Sequence, residues 1–144
     1  MQKAMPIDRS QIREAARAAA EKPLNIGVSI VFVDDKTIRQ VNEEFLGHDN
    51  ATDVIAFDYR DSEGETPFEE ENAEIVISVE RAIREAKRRR QPIARELLLY
   101  VIHGVLHLTG YDDLQKDAAR IMRKQQLRVL NSISHLWKES ETKQ

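Results

Sequence analysis

The chain has 144 residues, 41% hydrophobic and 33% charged, with a formal net charge of −3, which suits one soluble domain around one core. It has no cysteine, which excludes disulfides and thiolate metal sites and leaves His, Asp and Glu as ligand types. MQKAMPIDRS has no apolar core of a leader and no uncharged run is long enough to span a membrane, so a cytoplasmic protein is expected, and any nucleic-acid affinity would need a local basic patch.

Residues 8–22 read as a helix, capped by Asp8 or Ser10, with Ile12, Ala15, Ala16 and Ala19 on one face and Pro23 as its stop. Residues 25–33, NIGVSIVFV, read as a strand that is apolar on both faces and so expected at the centre of a sheet. Asp34 and Asp35 cap a second helix to about Phe45, with Ile38, Val41 and Phe45 inward. After a loop at 46–52, strands are expected at 53–59 (DVIAFDY) and 73–78 (AEIVIS), paired antiparallel. The acidic connection RDSEGETPFEEEN reads as an exposed, mobile hairpin loop, in which Thr66 to Phe68 is the only candidate for a fourth, edge strand. A third helix, 79–91, places Val79, Ala82, Ile83 and Ala86 inward, with Glu80–Arg84 and Glu85–Arg89 as i, i+4 pairs.

The stretch 92–113, PIARELLLYVIHGVLHLTGYDD, begins with Pro92 and is apolar on nearly every side, the pattern of a buried helix. His103 and His107 are four residues apart, so on a helix both imidazoles leave the same face one turn apart. Gly110 ends the helix by taking the left-handed cap conformation and turns Tyr111, Asp112 and Asp113 back over that face. The result, H-x-x-x-H-x-x-G-x-x-D, has the spacing of the extended zinc motif H-E-x-x-H-x-x-G-x-x-H. Asp113 stands at the third ligand and keeps a three-ligand site with an open position feasible, whereas Gly104 replaces the glutamate that serves proteases as general base. A last helix covers 114–137, with Ala118, Ile121, Met122, Val129, Leu130, Ile133 and Trp137 as its core face. The order of elements predicts a single α+β domain over 1–144, with a mixed sheet of three to four strands covered by about five helices.

The run His103-Gly104-Val105-Leu106-His107-Leu108-Thr109-Gly110-Tyr111-Asp112 closely resembles the H-G-x-L-H-L-x-G-Y-D signature of the YbeY family of ribosomal RNA maturation factors, whose third histidine follows where this chain has Asp113. Upstream, Val41, Asn42, Phe45, Thr52, Asp53, Val54, Ile55 and Phe57 match the family's helix and its T-D-V-[LI]-[ST]-F segment, and Glu74 to Ser78 resembles its G-D-I-x-I-S strand. The family's arginine after the aromatic is Leu46 here, and His48, two residues on, is the candidate for a catalytic donor at the edge of the metal cleft. Glu96 matches a family glutamate and, seven residues before His103, is expected to orient that imidazole rather than bind metal.

The spacing points to a zinc-type metal, one per chain, held by His103, His107 and Asp113, and the resemblance implies a metal-dependent, single-strand-directed endoribonuclease in ribosomal RNA maturation. It also implies ribosomal RNA and the small ribosomal subunit as partners. Arg88, Arg89 and Arg90, in the one strong basic cluster, are the candidate RNA contacts, set against the alternative of a solvated helix end complementing the helix dipole. A non-catalytic ribosome assembly factor, or a metallohydrolase acting on another ester, remains open as an alternative on the residues alone.

Overall fold

The computed structural model describes residues 5–20, 27–46, 53–59, 73–111 and 114–142. Its elements are α1 (Arg9–Ala20), β1 (Val28–Val33), α2 (Asp35–Leu46), β2 (Val54–Asp58), β3 (Ala73–Ser78), α3 (Val79–Arg89), α4 (Ile93–Leu108), α5 (Lys116–Ser132) and α6 (His135–Thr142). The sheet order is β1-β3-β2. β1 lies parallel to β3, with Val28 opposite Ala73 and Val33 opposite Ser78. β2 lies antiparallel on the other side, with Val54 opposite Ile77 and Asp58 opposite Ala73.

Alternation along the strands divides the core. Ala73, Ile75 and Ile77 of β3 join Val28, Ile30 and Phe32 of β1 and the apolar body of α4 in the main cluster. Val76 looks the other way, onto Ile38 of α2 and Ile55 of β2. The sheet is therefore covered by α2 on one face and by α4 on the other, and Ala15 and Ala19 of α1 bury themselves in the same core as α4. This is the expected α+β domain, with three strands and six helices among the described residues.

The helix starts follow from short polar side chains. Asp8 and Gln11 form a reciprocal capping box on α1: the Gln11 backbone N–H donates to Asp8 Oδ1 at 2.9 Å and the Asp8 N–H to Gln11 Oε1 at 2.8 Å. Asp34 caps α2 by accepting from the Thr37 N–H at 2.7 Å. Ser78 caps α3, accepting from the Arg81 N–H at 3.2 Å while its hydroxyl donates to Asp35 Oδ1 at 2.6 Å, so it ties the starts of two helices together. At the far end of α3, Arg90 takes a left-handed conformation (φ 55°) and the Gln91 N–H reaches the Ala86 carbonyl.

Several expectations change. β3, not β1, is the central strand. The second face of β3 carries Glu74 and Ser78 beside Val76, so pattern favours β1, but β3 has a neighbour on each side while Val31 of β1 is left 38% exposed. The last helix is two helices. The chain breaks at Ile133 and Ser134, and α6 turns onto α1, where the Gln11 side-chain amide donates to the Leu136 carbonyl at 2.9 Å and His135 meets Glu14. That turn buries both Ile133 and Trp137. Ile83 and Ile121, expected inward, are exposed. Arg84 pairs with Asp35 at 2.5 Å instead of Glu80, which accepts the Asp35 N–H. Thr66 to Phe68, with the hairpin loop around it, lies outside the described residues.

Candidate metal centre

α4 is placed by its two ends and by one glycine. Pro92 serves as its N-cap in an extended conformation and separates it from α3. At the C-terminus, Gly110 (φ 109°) carries the left-handed turn, with the Tyr111 N–H on the Leu106 carbonyl and the Gly110 N–H on that of His107. In the middle, a Cβ on Gly104 would stand 2.7 Å from Ile75 Cγ2 and 2.9 Å from its Cδ1. The helix backbone thus rests directly on β3 at Gly104. A glutamate here would point into the sheet, so the protease-type general base is excluded by packing.

His103 and His107 lie on the adjoining flank of α4, about 100° and 60° round the helix from Gly104, and both are half-buried. Their rings meet edge to face at 72°, and the two Nε2 atoms are 3.1 Å apart. Nδ1 of His103 hydrogen-bonds Oε1 of Gln126 on α5. With the Gln126 amide oxygen as acceptor, Nδ1 of His103 is the protonated nitrogen and Nε2 presents a lone pair.

Two imidazole nitrogens on a tetrahedral zinc-type ion at ~2.0–2.1 Å stand about 3.3 Å apart. The observed separation is close to that edge, so the pair fits such an ion with little movement. Among the described residues no third His, Asp or Glu completes the group. Asp113, the expected third ligand, and His48, the expected donor at the cleft edge, both lie outside the described residues.

Gln126 was not a sequence candidate. Its signal was available in the spacing: it shares a helix face with Met122 and Leu130, one turn either side, yet is polar among buried residues. Glu96, by contrast, does not orient His103. It is fully buried at the junction of α3 and α4, 3.5 Å from Arg89 and 3.7 Å from Arg95, and neither oxygen has a hydrogen-bond partner among the described residues. One turn on, burial first and the Glu96 charge second push the Tyr100 phenol well above its ordinary pKa.

The basic cluster is less free than its sequence suggests. Arg88 donates Nε and Nη2 to Glu85 at 3.1 and 2.6 Å, and Arg89 reaches Glu85 at 3.4 Å as well as Glu96. Arg90 is exposed and stands in the left-handed cap position. These arginines flank the start of α4. Glu96 precedes His103 by seven residues and His107 by 11 on that helix, so the cluster and the imidazoles are separated by about 10–16 Å along its axis.

A family model described as Endoribonuclease YbeY matches residues 2–134. The chain is 40% identical over 129 residues to Endoribonuclease YbeY of Rhodopirellula baltica, covering 87% of this chain and 64% of that protein. It is 39% identical over 118 residues to the protein of the same name from an Anaeromyxobacter species, covering 81% and 60%. A third, from Clostridium botulinum, is 33% identical over 136 residues, covering 81% and 82%. The chain thus spans a little under two thirds of the length of the first two relatives. Among solved structures, TM1509 of Thermotoga maritima shares the fold with a TM-score of 0.64 at 24% identity, over 94% of this chain and 87% of that one.

Proposed function

Because the chain belongs to the Endoribonuclease YbeY family, we propose that it is a metal-dependent endoribonuclease that cuts single-stranded RNA during ribosomal RNA maturation in the cytoplasm. The observation that carries this reading is the pair of Nε2 atoms 3.1 Å apart on one face of α4, with Nδ1 of His103 held by Gln126. His103 and His107 would hold the ion, and Asp113 is proposed as its third ligand. A zinc-type ion there supplies Lewis acidity toward a phosphodiester and makes water a better nucleophile near neutral pH. The chain's own residues do the rest. Gln126 keeps the His103 ring in plane with its acceptor and raises the basicity of Nε2. Gly104 provides no base, so proton transfer falls to a group on the open side of the site, for which His48 is proposed.

Arg88, Arg89 and Arg90 are proposed to hold the phosphates of ribosomal RNA within the small subunit. Arg90 supports this most directly. A left-handed cap favours Gly, and an arginine kept there costs about 1–2 kcal/mol, which suits a side chain retained for contact rather than stability. No helix among the described residues is long and apolar enough to cross a membrane.

The test is incubation of metal-loaded protein with labelled single-stranded and duplex RNA, beside His107→Ala. Cleavage of the single strand by the wild type alone is expected. Equal cleavage by the variant, or none by the wild type with any divalent metal, would overturn the reading.

A further inference from the structure

We propose that α5 carries a phosphate-binding subsite for an RNA strand, formed by Lys116 and Arg123 across a recess from His103. The proposal rests on the ribonuclease reading above and deepens it, assigning a second wall to that site.

The recess holds about 340 Å³ and is lined by His103, Lys116, Ala119, Met122, Arg123 and Gln126. Positions 116, 119, 123 and 126 recur at three- and four-residue steps, so they share the face of α5 that looks at His103. Three features point to an anion. First, the lining holds two cations and, among the described residues, no carboxylate. Second, neither Lys116 nor Arg123 makes an ion pair among the described residues, whereas Arg88 and Arg89 are held by Glu85 and Arg120 by Asp117. Third, the cations share their recess with an imidazole of the candidate metal pair. Two positive groups beside a divalent ion repel it. A polyanion entering the recess offsets that repulsion.

The dimensions agree. Lys116 and Arg123 are seven residues apart, or about 10 Å along α5, a span that neighbouring phosphates of an extended strand can bridge. Ala119 and Met122 between them offer an apolar floor for a sugar or base. A strand lying on this floor passes His103, which places one of its phosphates beside the imidazole pair.

The experiment compares Lys116→Gln/Arg123→Gln with Lys124→Gln/Arg128→Gln, an equal loss of charge from exposed positions of α5 outside the recess. Binding of a labelled single-stranded oligoribonucleotide is read by anisotropy across a salt series in EDTA, and zinc affinity is read separately. For the recess pair we expect binding to weaken about tenfold or more at low salt and the log–log salt slope to fall by about 1.4, two single-strand phosphate contacts. Each single variant should show about half that change in slope. Zinc affinity should hold or tighten. The outward pair should change binding far less. Wild-type affinity and slope in the recess pair, an equal loss in the outward pair, or no RNA binding by the wild type would each overturn the subsite. RNA bound through the recess but not cut with any divalent metal would instead overturn the ribonuclease reading and leave the subsite standing.

Discussion

Toward the sheet, α4 presents Gly104, where even a methyl group would collide with Ile75. Toward α5, the same helix presents His103, bonded to Gln126, with His107 against it, both half-buried. One face is closed, apolar and packed on the Ile75 side chain. The other is polar and adjoins a recess. Adjacent residues 103 and 104 thus serve opposite ends, because a step of about 100° on a helix separates them. The difference teaches that the glycine in the motif is not a lost base. It is the contact that fixes how far α4 stands from β3, and therefore where the imidazoles emerge.

The largest expected effect comes from the open face. His103→Ala should abolish metal binding, read as the zinc content of purified protein, with only a small change in thermal midpoint because the ring is half-buried. A large midpoint loss in metal-free protein would mean that the two faces are not separable. Asp113→Asn is expected to lose much of the metal and Asp113→His to keep it. Equal zinc affinity in Asp113→Asn and wild type would remove the third ligand from the proposal.

Gly104→Ala tests the closed face. Overpacking against Ile75 should cost about 1–3 kcal/mol, offset by up to about 1 kcal/mol of helix propensity, seen as a lower urea midpoint. Zinc affinity of the folded fraction should be nearly unchanged. A midpoint at or above the wild type would show that Ile75 yields, and the spacing argument would fail.

Gln126→Leu sharpens the comparison between ligand and support. Loss of the Nδ1 acceptor should lower zinc affinity about 10-fold or more, and Gln126→Glu, which restores an acceptor, should recover it. The ¹⁵N shifts of His103 should report a mixed tautomer in the leucine variant. An unchanged Nδ1–H tautomer would sink this role.

Arg90→Gly reverses the trade seen at the end of α3. Relief of the left-handed conformation should stabilise by about 1 kcal/mol while RNA binding weakens. Stabilisation with unchanged RNA affinity would leave the cluster as a helix end only.

The smallest effect concerns acid. Burial pulls the Asp35 carboxyl upward, but the Ser78 hydroxyl and Arg84 outweigh it and hold its pKa below the ordinary 3.8. A depressed folded-state pKa gives stability that is present above the unfolded value and lost as pH falls through the lower, folded one. Asp35→Asn should therefore flatten the acid limb of a stability–pH curve below about pH 4 and leave it parallel to wild type above. The same slope in both proteins would show that this junction adds nothing.

Local pattern was enough for the cap at Asp34, the glycine turn at 110, the antiparallel pairing of 54–58 with 73–78 and the shared face of the two histidines. Each is settled within a few residues, or by alternation along one strand, where steric and hydrogen-bonding preferences act at short range. Tertiary packing alone decided the remainder. The more apolar strand, β1, lies at an edge of the sheet, and β3, with Glu74 in it, holds the centre with partners on both sides. The last helix breaks, with neither proline nor glycine in it, where α6 turns to meet α1. Glu96 turns to Arg89 and Arg95, and His103 finds Gln126, because side chains choose partners by distance in space. The spacing of His103 and His107 could name two ligands. Only the approach of α5, 23 positions further along the chain, could supply the acceptor that sets the tautomer of the first.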